Sequence, residues 1–246
     1  MSEDTRTILR ISGPEARDFL QGLVTNDVSR LDAGLVYAAL LTPQGKYIAD
    51  FFLFPDGDAV LLDVDTALAA DVAKRLSMYK LRSKVEIAAT DRKVTRGLGA
   101  PPEGAFADPR DPSLGWRGYD GQPGDTDVDW DALHVAACVP RSGIELSPDT
   151  FILEAGFDRL SGVDFRKGCY VGQEVTARMR HKTELRKGFT TVEVEGEAPV
   201  GTEIVAGDKP AGALFSQAQG RGIAYLRFDR AGRDMQAGPA RVHYQP

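Results

Sequence analysis

The chain has 246 residues, of which 42% are hydrophobic and 27% charged, which is typical of a soluble protein with one large or two modest domains. The formal net charge of −6 argues against general nucleic-acid binding. No apolar run approaches the ~18 residues that a membrane-spanning helix needs. The two cysteines, Cys138 and Cys169, exclude a disulfide framework and a four-thiolate cluster site within one chain, and they favour a reducing compartment.

The first part of the chain alternates between predicted helices and strands. Ser12-Gly13-Pro14 with the acid that follows it predicts a helix over residues 15–20. Asp65 is a predicted N-cap for a second helix, because Leu68, Val72, Leu76 and Tyr79 follow at helical spacing. Turn-forming residues separate the predicted strands, which are Leu35–Leu41, Lys46–Phe54, Ala59–Val64 and Val85–Ala88.

The character of the chain changes twice after residue 98. Residues 99–131 are rich in proline and acids, but Leu114-Gly115-Trp116-Arg117 is too apolar for disorder, so this segment is interpreted as a long ordered excursion within an α+β body. After Gly188, short alternating runs separated by glycines predict a small β-barrel or sandwich. Its predicted strands are Phe189–Val194, Thr202–Val205, Ala211–Phe215, Gly222–Phe228 and Ala240–Tyr244.

Residues 165–174 carry the strongest chemical signal. Cys169 lies between Gly168 and Gly172, which allow a tight turn or a close approach to a ligand. Arg166 and Lys167 would favour a thiolate if they fold near the sulfur, which would make Cys169 a nucleophile or a ligand for a soft metal. The alternative from these residues alone is a structural turn that contains a small cysteine.

Charge is distributed unevenly around this segment. Residues 164–190 contain seven cations and three anions, a local charge of +4 in an acidic protein. Such a patch fits an anionic ligand, for example the glutamate tail of a folate. A solvated basic surface on a helix or loop explains it equally well.

The sequence Lys167-Gly168-Cys169-Tyr170, followed by Gly172-Gln173-Glu174, matches every fixed position of a known signature, Lys-Gly-Cys-Tyr-x-Gly-Gln-Glu. The chain therefore resembles the YgfZ/CAF17 folate-binding family. Residues 13–22, 24–28, 42–46 and 108–117 extend this resemblance. It implies an α+β fold, with a body like the glycine-cleavage T-protein, an aminomethyltransferase, over residues 1–187 and a small C-terminal β-barrel over residues 188–246.

The resemblance implies a factor that assembles or repairs iron–sulfur clusters and binds tetrahydrofolate or a derivative. Cys169 would act as a transient thiolate, either as a cluster ligand shared with a partner or as a nucleophile toward a folate-borne one-carbon unit, with Arg166 and Lys167 keeping it ionised. The implied partners are iron–sulfur carrier or client proteins, with no stably bound metal. The competing class is a tetrahydrofolate-dependent aminomethyl- or methyltransferase that uses Asp27 as charge partner of the reacting amine. A third class is a module that only senses or stores folate.

The implied folate site has carboxylates inside and cations at its mouth. Asp27, with its neighbour Asn26, and Glu154 are the expected interior contacts, although Asn26-Asp27 could be simple turn formers and Glu154 could be a solvent-facing strand or cap residue. The expected rim consists of Arg166, Lys167, Arg178 and Arg180. Cys169 is expected at this mouth, partly exposed. The resemblance adds Tyr170, Gln173 and Glu174 as further contacts.

The remaining expectations concern metals and location. The three histidines, His134, His181 and His243, lack the spacing of a zinc site. Met1-Ser2-Glu3-Asp4-Thr5-Arg6 lacks the apolar core of a secretory signal. We therefore expect a protein of the bacterial cytoplasm, or of the mitochondrial matrix if the source is eukaryotic and the chain is processed, with neither membrane nor direct nucleic-acid contact.

Overall fold

The computed structural model describes residues 6–181 and 185–245. The chain forms two compact units, and each unit is built from two separate segments. The first unit combines Met1–Thr126 with Asp158–Ala177, and the second combines Asp127–Phe157 with Arg178–Pro246. The predicted division at residues 187 and 188 lies at the start of the first barrel strand.

A five-stranded antiparallel sheet forms the centre of the first unit, with strand order β2-β3-β4-β1-β5. Two α-helices and a 3-10 helix at Val28–Ala33 accompany it. The elements are β1 (Arg6–Ser12), α1 (Ala16–Gln21), β2 (Val36–Leu41), β3 (Tyr47–Asp56), β4 (Ala59–Asp65), α2 (Thr66–Lys80) and β5 (Glu86–Ala89). The sequence did not predict β1, whereas β2 to β5 lie within two residues of their predicted bounds and α2 begins after the predicted N-cap Asp65.

The sheet is buried on both faces, because β2 is buried along its whole length and β3 and β4 along most of theirs. One face packs against apolar residues of α1 and α2, including Leu20, Val72 and Leu76. A second cluster contains Phe54 and Tyr119, whose rings stack at 3.9 Å between centroids. This double burial explains why the strands are near-continuous apolar runs.

The proline-rich excursion folds into a small sheet of order β6-β8-β7. Its strands have only two or three residues, and a 3-10 helix at Pro112–Leu114 precedes the last of them. The strands are β6 (Thr95–Gly97), β7 (Phe106–Ala107) and β8 (Trp116–Gly118). Trp116 anchors this sheet, since its ring covers Gly97 and its Nε1 donates to the carbonyl of Leu98 at 3.2 Å.

Two arginines of this proline-rich segment form buried ion pairs within the first unit. Arg117 donates to Asp63 at 2.9 Å, and Arg110 donates to Asp108 at 2.7 Å. Burial alone would raise the pKa of Asp63, but Arg6 and Arg117 lower it to about 2. The guanidinium of Arg117 also lies over the ring of Phe52, at 4.2 Å from its centroid. These residues therefore hold the small sheet against the large one.

The second unit contains a closed antiparallel barrel of order β10-β11-β12-β9-β14-β13. Its interior is a single apolar cluster that includes Ile204, Leu214 and Val242. The strands are β9 (Lys187–Glu195), β10 (Thr202–Ala206), β11 (Lys209–Ala218), β12 (Arg221–Arg227), β13 (Met235–Ala237) and β14 (Ala240–His243). The predicted barrel is confirmed, with β13 as the one strand of it that the alternating pattern did not reveal.

Residues 127–157 belong to this second unit and are fastened to the barrel. They contain α3 (Trp130–Ala136), which ends before Cys138, so His134 and Cys138 do not share one helix. The carboxylate of Glu145 accepts hydrogen bonds from the backbone and hydroxyl of Ser216, at 3.2 and 2.5 Å. Helix α4 (Gln173–His181) begins in the first unit and ends in the second.

Candidate functional site

The segment that carries the signature lies against the loop after α1, within the first unit. Thr25 donates its hydroxyl to the carbonyl of Gly162 at 2.7 Å, and the amide of Asp164 donates to Thr25 at 3.1 Å. The side-chain amide of Asn26 donates to the carbonyls of Ser161 and Tyr37, at 2.7 and 2.8 Å. Three of these hydrogen bonds align residues 161–164 with the Asn-Asp loop, and the fourth joins that loop to β2.

Lys167 is buried and fastens the signature segment to the end of α1. Its ammonium donates to the carbonyls of Gln21, Val24 and Asn26, at 2.7, 2.5 and 3.1 Å. An ammonium has three donors, so these carbonyls use all of them. Burial lowers the pKa of Lys167 to about 8, and Asp27 and Asp164 partly offset this. The Lys167 ammonium therefore holds the signature segment against the end of α1, a contact that we call the clamp, and it has no N–H left to donate to Cys169. It is buried and does not lie at the mouth of a cavity, contrary to the prediction.

Cys169 is exposed, immediately after the clamped lysine. Its neighbour Tyr170 is buried, with the Lys167 ammonium 5.0 Å from its ring centroid. A methyl group added at Gly168 would meet no atom within 4 Å. The loop therefore presents an exposed thiol next to an open position at Gly168, between the anchored side chains of Lys167 and Tyr170.

Gly172 closes the loop by a backbone contact that other residues cannot make. Its φ is +84°, and a methyl group there would lie 2.6 Å from the carbonyl of Thr42. Gly45, in the turn between β2 and β3, makes the reciprocal contact: its added methyl would lie 2.8 Å from Val175 at the start of α4. Two distant motifs of the sequence, at 42–46 and 167–174, thus form one junction.

Asp27 is a carboxylate with partners on both sides of the loop. Its Oδ1 accepts from the amide of Ser29 and from the side chain of Gln21, at 3.0 and 3.1 Å, and the Ser29 hydroxyl interacts with the same carboxylate. The Ser29 amide lowers the pKa of Asp27, and Gln21 and Lys167 act in the same direction. Asp27 is therefore an ionised, partly exposed carboxylate rather than a deeply buried one. The amide hydrogens of Asn26, by contrast, are both used by the fold.

Glu154 belongs to the second unit, where it has its own partners. The hydroxyl of Tyr225 donates to its carboxylate at 2.7 Å, and the ammonium of Lys187 lies 3.6 Å away. The amide of Phe189 donates to the Glu154 carbonyl at 2.7 Å. Glu154 therefore has a structural task at the start of the barrel, and a ligand contact there stays a prediction.

The other predicted contacts lie on the surface. Arg166, Glu174, Arg178 and Arg180 are exposed, and Gln173 is partly exposed at the start of α4. Lys182 and Glu184, which contribute to the predicted basic patch, lie outside the described residues. Arg178 falls in the second unit.

Sequence reasoning missed several residues that build this site. Gln21 both donates to Asp27 and accepts from the amide of Val28, and Arg30 pairs with Asp164 at 2.5 Å. Gln21 follows the helical pattern of α1, and no local signal marks its contact with Asp27. The positive φ of Gly172 could have been proposed from its place just before a helix, but its contact with Gly45 could not.

Residues 6–181 and 185–245 contain neither a convergent set of metal ligands nor a membrane-spanning helix. In these ranges no three His, Cys, Asp or Glu side chains converge as ligands for a metal ion. No helix there is long and apolar enough to cross a bilayer.

Comparison with known proteins places the chain in a family. Residues 186–246 match the model of the CAF17 C-terminal β-barrel domain. The iron–sulfur cluster assembly factor IBA57 of Homo sapiens is 31% identical, over 91% of this chain and 76% of that protein, and its counterpart in Mus musculus is 30% identical, over 92% and 76%. The chain belongs to the IBA57 family.

The comparisons also show the fold and the extent of the match. The IBA57 homologue of Mycosarcoma maydis is 34% identical over 74% of this chain, and the chain spans about half of that relative, 54% of its length. The aminomethyltransferase T of Bartonella henselae superposes with a TM-score of 0.75 over 98% of this chain and 83% of the other, at 14% identity. The predicted T-protein-like fold is therefore confirmed, and this second likeness concerns the fold alone.

Proposed function

We propose that this chain is an iron–sulfur cluster assembly or repair factor in which Cys169 donates a thiolate to a cluster shared with a carrier or client protein. The observation that carries the proposal is an exposed thiol on a loop fixed at both sides, in a member of a family named for cluster assembly. Iron–sulfur clusters are held by several thiolates, and this chain has two cysteines. The partner must therefore supply the remaining ligands.

The clamp and the glycine junction explain how a single thiol could serve this role. The carbonyls that hold Lys167 and the close contact of Gly172 with residues 41–45 fix the loop before and after Cys169. A preorganised ligand loses less conformational entropy when the shared cluster forms. The free space beside Gly168 leaves room for a partner's backbone or for the sulfides of the cluster.

Differential alkylation tests this proposal directly. Mass spectrometry would measure iodoacetamide modification of Cys169 and Cys138 in three samples. These contain the protein with a cluster-loaded carrier, the protein with the same carrier without a cluster, and the protein without a carrier. We expect the loaded carrier to protect Cys169 and to leave the partly buried Cys138 unchanged. Equal labelling of Cys169 in all three samples would remove the thiol from the transfer.

We further propose that the chain binds tetrahydrofolate or a derivative through Asp27. The support is chemical: the ionised, partly exposed carboxylate of Asp27 has acceptor sites left for a pterin amine or ring N–H. Asp27→Asn keeps an oxygen for the Ser29 amide but removes the charge. Calorimetric titration with tetrahydrofolate should show weaker binding for Asp27→Asn and no change for Asp32→Asn, an exposed control. Unaltered binding by Asp27→Asn would discard this contact while leaving the cluster proposal intact.

A folate-dependent aminomethyl- or methyltransferase is the second candidate, and the same carboxylate favours it. This candidate predicts that the purified protein turns over a one-carbon tetrahydrofolate donor. The Asp27→Asn variant should lose this activity and the Cys169→Ala variant should keep it. The cluster proposal predicts the opposite dependence on Cys169. The names of the three IBA57 relatives include the word mitochondrial, so we propose the mitochondrial matrix as the location if the source is eukaryotic, and the cytoplasm if it is bacterial.

A further inference from the structure

Positive charge is concentrated at the end of α2, far along the chain from the signature. Residues 72–85 contain five cations and no acid, in a protein of net charge −6. Arg75 pairs with Asp71 at 2.7 Å, whereas Lys74, Lys80, Arg82 and Lys84 form no ion pair with any described residue. Four cations are therefore available to a ligand.

Two large apolar side chains are exposed among these cations. Met78 is 68% exposed and Leu81 is 89% exposed. Leu81 ends the helix at φ +43°, a backbone region that bulky residues rarely adopt and that glycine or asparagine would fill more easily. The fold offers this leucine neither burial nor a relaxed backbone, so its side chain is available for a contact outside the chain.

An open groove runs beside Leu81. It has a volume of about 620 Å³, within the range of sites that take small ligands or single side chains. The groove also contains the carboxylate of Glu15, which accepts from the backbone amide of Lys84 at 3.0 Å and keeps its negative charge. With the two cations Lys80 and Arg82, the lining has a net charge of +1. The lining residues are Glu15, Tyr79, Lys80, Leu81, Arg82 and Ser83.

We propose that this α2-end surface, formed by Lys74, Met78, Lys80, Leu81, Arg82 and Lys84, binds an acidic segment of a partner protein that inserts one large aliphatic or aromatic side chain beside Leu81. Charge complementarity selects the acids, and the groove with its exposed leucine and methionine selects the apolar residue. Neither Cys169 nor a folate takes part in this contact.

Two other ligand classes fit the surface less well. A helix that lies on a membrane presents a broad apolar face, but the apolar residues of α2, Ala69, Val72 and Leu76, are buried in the core. Nucleic acid is held mainly by cations on phosphates, which gives no reason for two exposed apolar side chains at the centre of the patch.

Selection of random peptides displayed on phage, with the full chain as bait, tests the proposal without prior choice of a partner. We expect enriched peptides with several acids around one large apolar residue. Affinity of the best peptide should fall at least about 10-fold for Leu81→Ser and for Arg82→Glu, and should fall between about 50 mM and 300 mM salt. The matched controls Val200→Ser and Lys209→Glu, which change exposed residues of the barrel, should bind like wild type.

Several results would overturn the proposal. Enrichment of no acidic peptide, or equal affinity of Leu81→Ser and Val200→Ser, would remove the surface as a protein-binding site. Binding of phosphatidylserine vesicles or single-stranded RNA that depends on Arg82, without peptide binding, would assign it to those ligands instead. Concentration-dependent association of the chain that Arg82→Glu abolishes, seen by sedimentation, would make a second copy the occupant.

Discussion

Replacement of Lys167 by methionine tests whether the buried ammonium positions the loop that carries Cys169. Three hydrogen bonds to a charged donor contribute about 1.5–3 kcal/mol each. Against this, burial lowers the pKa of Lys167 from 10.5 to about 8, a cost of about 3 kcal/mol at neutral pH. The three hydrogen bonds exceed this cost by about 1–6 kcal/mol. In Lys167→Met we therefore expect the local stability of the loop to fall by about 3 kcal/mol.

Hydrogen exchange followed by mass spectrometry measures this loss locally. The amide of Asp164, which donates to Thr25 at 3.1 Å, reports the docking of the loop, and we expect it to exchange about 100-fold faster in Lys167→Met. Arg166→Met removes the same charge from an exposed neighbour and should leave exchange unchanged. Equal exchange in both variants would show that the three carbonyls do not hold the loop.

Gly172→Ala should lower the free energy of unfolding by about 2–5 kcal/mol in thermal unfolding, because the added methyl group meets the Thr42 carbonyl at a positive φ. The control Gly168→Ala should stay within about 0.5 kcal/mol of wild type. Equal losses in the two variants would contradict the proposed contact between Gly172 and residues 41–45. Between pH 8 and 10.5 the unfolded chain holds the Lys167 proton more tightly than the folded chain does. The free energy of unfolding of wild type, relative to that of Lys167→Met, should therefore rise with pH, by less than about 1 kcal/mol per pH unit. A fall of this difference with pH, measured by urea unfolding, would refute this. Tyr225→Phe should destabilise the second unit by about 1–2 kcal/mol in urea unfolding, because it removes the hydroxyl that donates a hydrogen bond to the buried Glu154 carboxylate. An unchanged free energy of unfolding would mean that water replaces the hydroxyl.

Strands with strong local signals could be predicted from the sequence. β3 and β4 are apolar runs bounded by turn formers, and they appear within two residues of the predicted positions. β13 could not be predicted in this way, because it has only three residues and its Met235 is buried only when the barrel closes. The strands of the small sheet depend in the same way on Trp116 and on buried ion pairs, which no local pattern encodes.

The candidate site was predictable in its chemistry but not in its geometry. The signature identified Cys169, and the structure leaves its thiol exposed. Because a folate tail is anionic, Lys167 was predicted at the mouth of a cavity, whereas three carbonyls at the end of α1 and in the following loop bind its buried ammonium. The basic run over residues 72–85 was visible in the sequence, but only exposure of Met78 and Leu81 distinguishes it from an ordinary solvated helix face.

The central claim is that the exposed thiol of Cys169 is needed for cluster delivery. The most direct measurement is the iron–sulfur content and activity of a [4Fe–4S] enzyme in cells whose only copy of this protein is wild type, Cys169→Ala or Cys138→Ala, at matched protein levels. We predict that Cys169→Ala lowers both to the level of cells without the protein, and that Cys138→Ala keeps them near wild type. Full cluster content with Cys169→Ala would contradict the proposed function.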